Sequence, residues 1–122
     1  DLFPTIIELS GVKPESLNLQ LDGISLLPIL SGESLENRPI VCEAFGRNFD
    51  QPGRAIRKDD YKLIIFDDPN SDTDTARLEF YQLSSDSNET NNLLSNALSL
   101  EQQTAFDELV AYSKSLGGNF NQ

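Results

Sequence analysis

The residues able to do chemistry in this 122-residue chain are few, and they sit apart from one another. One is Cys42. A catalytic thiol needs a nearby base, and there is no His anywhere in the sequence to act as one. Cys42 lies in the apolar run Ile40–Phe45, which reads as a strand, so the expectation is a small buried hydrophobe. A second candidate is the acidic stretch after Phe66. Asp68, Asn70, Asp72, Asp74 and Glu79 fall at positions 1, 3, 5, 7 and 12 of a calcium loop, a spacing that supplies the oxygens calcium takes. Thr73 stands where the sharp turn wants Gly, and both flanks read as strands rather than helices. A solvated hairpin loop is the favoured reading. A third is the basic group Arg47, Arg54, Arg57 and Lys58, gathered around one loop of an acidic chain. Guanidinium groups pair well with sulfate, phosphate or carboxylate oxygens, and salt bridges to the many Asp and Glu residues are the plainer alternative. Asn88-Glu89-Thr90 spells a glycosylation sequon, read here as coincidence.

These groups must be positioned by a modest framework. The length suits one domain or part of one. A net charge of −11 argues against nucleic acid and anionic membrane surfaces as partners. No apolar run is long enough to span a bilayer. A single Cys rules out an internal disulfide. The chain opens on Asp1-Leu2-Phe3-Pro4, with no Met and no leader-like pattern, and reads as a piece of something longer.

The central element is Lys58–Phe66. Lys58-Asp59-Asp60 forms a turn, and the strand that follows is apolar on most of both faces. Ala55–Arg57 pairs with it through that turn as an antiparallel hairpin. Ile40–Phe45 and Leu78–Leu83 are the other two strands. Before them come two short helices. Phe3–Ser10 has Pro4 in its first turn and Gly11 as its stop, and is apolar nearly all round, so it needs burial. Leu26–Leu30 is capped by Ser25 and ended by Gly32. Leu93 and Leu94 dock on the sheet. Ser99 and Gln102 fit a capping box for a last helix running to about Leu116, with Leu100, Phe106, Leu109, Val110 and Tyr112 as its apolar stripe. The fold class expected is α+β: an antiparallel sheet of about four strands packed by a long C-terminal helix and preceded by two short helices.

Taken in order, four sets of residues form a pattern. They are Asp1-Leu2-Phe3-Pro4-Thr5 through Val12; Leu21-Asp22-Gly23-Ile24-Ser25-Leu26-Leu27-Pro28 through Gly32; Arg54–Arg57 followed by Asp60–Ile64; and Glu79–Leu83 followed by Asp86–Leu93. Together they resemble the C-terminal part of the type I sulfatases, in the alkaline phosphatase-like superfamily. The resemblance implies that residues 1–37 are the end of the large α/β domain and residues 38–122 the C-terminal subdomain. It implies that the whole enzyme uses a formylglycine nucleophile and a calcium ion to hydrolyse a sulfate ester. Cys42 is followed by Glu43, Ala44, Phe45 and Gly46, so it lacks the Pro at +2 and Arg at +4 that formylglycine formation needs. The nucleophile and metal ligands are therefore expected in an upstream domain, with no catalytic residue, metal site or cofactor in this part. The C-terminal subdomain of the family lines one wall of the substrate cleft, which makes Arg47, Asn48 and Arg54 the expected contacts to a sulfated small molecule or glycan. Two alternatives stay open: an independent acidic, calcium-binding interaction module, and a piece of a superfamily phosphodiesterase or phosphonate hydrolase.

Overall fold

A computed structural model describes residues 1–12, 16, 21, 23–35, 37–44, 52–66 and 77–116. The chain divides into two compact units, Asp1–Asn37 and Arg38–Gln122.

In the first unit, helix α1 spans Leu2–Leu9 and helix α2 spans Leu27–Leu30. Each stops at a glycine in the left-handed region, Gly11 at φ 80° and Gly32 at φ 84°. After α2 the Gly32 amide bonds to the Ile29 carbonyl and the Glu33 amide to the Pro28 carbonyl, a Schellman closure. Ser25 is not the cap of α2. Leu26 holds that position, and the Ser25 hydroxyl accepts from the Leu27 amide one residue early. The two helices are linked by polar side chains. Asp1 Oδ1 accepts from the Ile24 amide at 3.0 Å. Thr5 Oγ1 donates to the Asp1 carbonyl at 2.6 Å and accepts from the Leu26 amide at 2.9 Å. A Cβ at Gly23 would run into the Asp1 backbone nitrogen, so only glycine lets the two segments approach this closely. Pro4 and Thr5 are buried, yet Leu2, Phe3, Ile6 and Leu9 are each more than half exposed. The burial expected for α1 is thus met on one side only.

The second unit is a four-stranded antiparallel sheet in the order β1-β2-β3-β4, with β1 Ile40–Ala44, β2 Gly53–Lys58, β3 Tyr61–Phe66 and β4 Arg77–Gln82. The β2–β3 turn is Asp59-Asp60, with Asp59 left-handed at φ 53°. Helix α3 covers one face over Leu100–Ser115. Its Ser99–Gln102 capping box is present, with Glu101 in the first turn and Lys114 in the last, both favourable to the helix dipole.

The core lies between this face and α3. Val41, Ile56, Leu63 and Phe80 are cross-strand neighbours in one row, and Leu109 closes over them with Phe106, Ala105, Val110 and Tyr112. Phe80 stacks on Tyr61 and meets Phe106 edge-on, both at 5.4 Å between ring centres. Leu100 does not join the expected stripe. About two and a half turns of helix separate it from Leu109, which places it on the opposite side, 87 % exposed. Leu116, at the helix end, is also exposed.

β3 is an interior strand, as its composition demands, but it is sealed on one face only. Tyr61 and Leu63 are buried, while Lys62, Ile64 and Phe66 on the other face are half-buried. That second face carries Cys42, beside Ala55 and Ile64. Cys42 is exposed, contrary to its expected burial. The reason is register: β1 is an edge strand, and pairing Val41 with Ile56 turns Cys42 away from α3.

Candidate functional site

The residues expected to meet substrate belong to the connection between β1 and β2. Arg47 and Asn48 lie outside the described residues. Arg54 is described, and the way the strands place it is informative. Glu43↔Arg54 and Ala44↔Gly53 are the last two rungs of the β1–β2 ladder. Arg54 therefore points to the α3 face, one rung from the end of the sheet. Its Nε and Nη2 both reach Glu43 Oε1 at 2.5 Å, and its Nη1 donates to the Ser113 carbonyl at 3.3 Å. Arg54 is 6 % exposed. A buried guanidinium must have acceptors, and here a strand carboxylate and a helix carbonyl supply them. The group ties three elements together.

The other cations of the basic group separate. Side chains alternate along β2, so Arg54 and Lys58 face α3 and Arg57 faces the other way, exposed. Lys58 pairs with Glu108 on α3, and that bond holds its ammonium pKa above the usual value. Tyr61 donates to Glu101 near the start of the same helix; burial, then the Glu101 charge, raises its pKa. Polar contacts at Glu101, Glu108 and Ser113 thus fix the register of α3 along the sheet.

The acidic stretch 67–76 lies outside the described residues, which include only Glu79 of its five candidate oxygen donors. Glu79 sits within β4, accepts from the Tyr81 hydroxyl at 2.9 Å and lies 3.4 Å from Arg77. The flanks of that stretch are β3 and β4, as the sequence suggests, rather than the two helices of an EF-hand. Among the described residues no group of three or more His, Cys, Asp or Glu could hold a metal ion, and no helix is long and apolar enough to cross a membrane.

The segment Asp86–Leu93 is organised by its own side chains. Asp86 accepts from the Thr90 amide and hydroxyl and from the Asn91 amide, which keeps its carboxyl below the usual range, the Asn91 bond most of all. Glu89 takes a left-handed φ of 56° and presents both carboxylate oxygens to Lys62 Nζ at 2.7 Å. Asn92 reaches the outer edge of β4: its Oδ1 accepts from the Phe80 and Leu94 amides and its Nδ2 donates to the Leu78 carbonyl. The Thr90 of the sequon is thus an acceptor-bound turn residue. Sequence reasoning missed these roles and the Glu43–Arg54 pair: the pair depends on the strand register, and the contacts of Asp86, Glu89 and Asn92 on how the 86–92 turn folds back on itself and on the sheet.

No family model matches the chain, and no curated protein matches it. Solved structures do. The BT4656 protein, determined in complex with its substrate D-glucosamine-2-N,6-O-disulfate, aligns over 92 % of this chain at 23 % identity and TM-score 0.66. A candidate sulfatase from Bacteroides thetaiotaomicron aligns over 95 % at 25 % identity and TM-score 0.61, and BT1596, a 2-O GAG sulfatase, over 95 % at 25 % identity and TM-score 0.60. The chain spans 22 % of the length of each. Over the aligned length the chain therefore has the fold of the C-terminal portion of a sulfatase.

Proposed function

We propose that this chain is the C-terminal portion of a sulfuric ester hydrolase acting on a sulfated sugar. The observation that carries the proposal is the alignment of nearly the whole chain with about a fifth of each sulfatase structure. The substrate named for BT4656 and the glycosaminoglycan specificity named for BT1596 support a sugar as the sulfate carrier. In this reading the formylglycine and the calcium ion belong to an upstream α/β domain. Residues 1–37 complete that domain, and the exposed Leu2, Phe3, Ile6 and Leu9 of α1 pack into it. The second unit is structural and supplies one wall of the substrate cleft. Arg47 and Asn48 contact substrate directly, and Arg54 stands at the base of the same connection.

The test compares the full-length protein with residues 1–122 alone, each offered p-nitrophenyl sulfate and bis-p-nitrophenyl phosphate. Sulfate release by the full-length protein only is the expected result. Turnover by residues 1–122 alone would overturn the assignment of the chemistry to the upstream domain. Preference for the phosphodiester would overturn the ester class. Within the full-length protein, Arg47→Ala and Asn48→Ala each raise KM if the wall assignment holds.

A further inference from the structure

We propose that a second copy of this chain pairs with the first through β1, antiparallel, about a two-fold axis that falls on Cys42. The direction of the main-chain groups along β1 carries the inference. At the far edge of the sheet the Phe80 amide points outward to Asn92, away from β3. Main-chain groups alternate in direction along a strand, and bonded and non-bonded rungs alternate along an antiparallel pair. Phe80↔Leu63 is therefore a non-bonded rung, Leu63↔Ile56 a bonded one and Ile56↔Val41 non-bonded again. The Leu83 amide, which donates to the Asp60 carbonyl at 2.8 Å, gives the same parity. Ile40, Cys42 and Ala44 thus turn their amides and carbonyls toward β2, and those of Val41 and Glu43 point out of the sheet. No strand among the described residues lies beyond this edge. An axis on Glu43 would oppose two like charges, and it would leave Val41 to a residue outside β1. An axis on Val41 would face Pro39, which has no N–H, with the Glu43 carbonyl. An axis on Cys42 lets Val41 and Glu43 of each copy exchange both bonds with Glu43 and Val41 of the other. It alone satisfies every outward group of β1 from β1 itself.

The side chains agree with that register. On the face away from α3, Ile40, 63 % exposed, meets Ala44 of the other copy, large against small, and the two exposed Cys42 side chains meet at the axis. On the α3 face Val41 stands beside Glu43 of the other copy, whose carboxylate stays with its own Arg54. Helix α3 rests mainly on β2 and β3, so roughly 19 Å of sheet separates the two copies of the helix. Five residues a side fall short of a standard interface of about 800 Å² per partner, so the pairing is weak and reversible.

Thiol trapping in the full-length protein tests this. In a non-hydrogen-bonded antiparallel pair the Cα atoms lie about 4.5 Å apart, within the range of about 4.4–6.8 Å that a disulfide spans. Glutathione disulfide is the oxidant: two Cys42 thiols form one S–S bond, and the two electrons and two protons leave on two molecules of glutathione. The expected product is a dimer whose peptide map joins Cys42 to Cys42. Ile40→Cys in a Cys42→Ser background moves the thiol to another exposed position of the same face, where the two sulfur-bearing residues lie about 14 Å apart along the strands. It should give about tenfold less dimer, because the thiols are no longer held together. Adding Ala44→Cys to that variant should restore linkage, between positions 40 and 44. Sedimentation of the reduced wild type should show a concentration-dependent dimer that is lost in Cys42→Lys, which sets two ammonium groups at the axis. No linkage at Cys42 would overturn the pairing. Linkage at Cys42 no faster than at Ile40→Cys would show chance collision and overturn it too. A dimer that survives Cys42→Lys would place the association on another surface and overturn the register.

Discussion

Removing the Asn92 side chain tests whether one amide group closes the edge of β4. In Asn92→Ala, the Phe80 and Leu94 amides lose their acceptor, each at 3.1 Å, and the Leu78 carbonyl loses a donor at 3.3 Å. All three groups are part-buried, so water replaces the amide poorly. At about 1 kcal/mol net per bond, and less for the longest, the cost is about 2–3 kcal/mol. For a domain of this size that lowers Tm by about 10–15 °C. Asn92→Asp separates the contributions. It keeps the oxygen that serves two amides, loses the donor, and sets a carboxylate against the Leu78 carbonyl, so it should cost about half as much near neutral pH. The chain has no Trp, so urea unfolding followed by far-UV circular dichroism is the assay. Hydrogen exchange at the Phe80 amide reports the local effect. A loss below about 0.5 kcal/mol in Asn92→Ala, with Phe80 protection unchanged, would refute the reasoning.

Thr5→Val removes the hydroxyl that joins α1 to the Leu26 amide in a buried site, and should cost about 1–3 kcal/mol, with faster exchange at Leu26; Thr5→Ser should retain most of the stability. The carboxyls of Asp60 and Asp86 are held below their ordinary value, Asp60 chiefly by the Ser84 hydroxyl and Asp86 chiefly by the Asn91 and Thr90 amides. Their contribution is therefore present above the unfolded Asp value of about 4 and lost as pH falls through the lower folded values, so the urea midpoint should drop on acidification below about pH 4. An unaltered pH slope in Asp60→Asn with Asp86→Asn would contradict this. Burial and the Glu79 carboxylate push Tyr81 up to about 12, so stability is complete below an unfolded value of about 10 and falls as pH rises toward 12; ultraviolet titration should find this phenol among the last to ionise. Gly53→Ala should cost about 1–3 kcal/mol, because the Ile65 carbonyl leaves no room for a methyl group, and a melt matching wild type would show that β2 can move aside.

Much of the framework was legible before any coordinates. Apolar runs and a hairpin turn located four strands, Gly11 and Gly32 marked two helix ends, and Ser99 with Gln102 marked the start of α3, because these signals act over a few neighbouring residues. What stayed hidden depends on pairing. Cys42 reads as core from its own segment, and only the register that sets Val41 against Ile56 shows that it faces outward. Leu100 reads as part of a stripe until its angular distance from Leu109 is counted. The basic group around Arg54 reads as one cluster in sequence, yet strand alternation divides it between two faces and supplies Glu43 and Glu108 as partners. The ordered pattern that suggested sulfatases was also closer to a contact list than its separate pieces implied. Asp1 and Thr5 bond to Ile24 and Leu26, Lys62 to Glu89, and Phe80 to Asn92.

The amide of Asn92 makes the sheet one-ended. On the outer flank of β4, the Leu78 carbonyl, the Phe80 amide and the Gln82 carbonyl are all engaged by residues 85–92. Among the described residues no strand lies beyond β1. Among the described residues, the edge left for a strand arriving from outside is therefore that of β1. Two copies meeting there would use up the available edges on both, so lateral growth of this sheet would terminate at a pair instead of running on into a fibre.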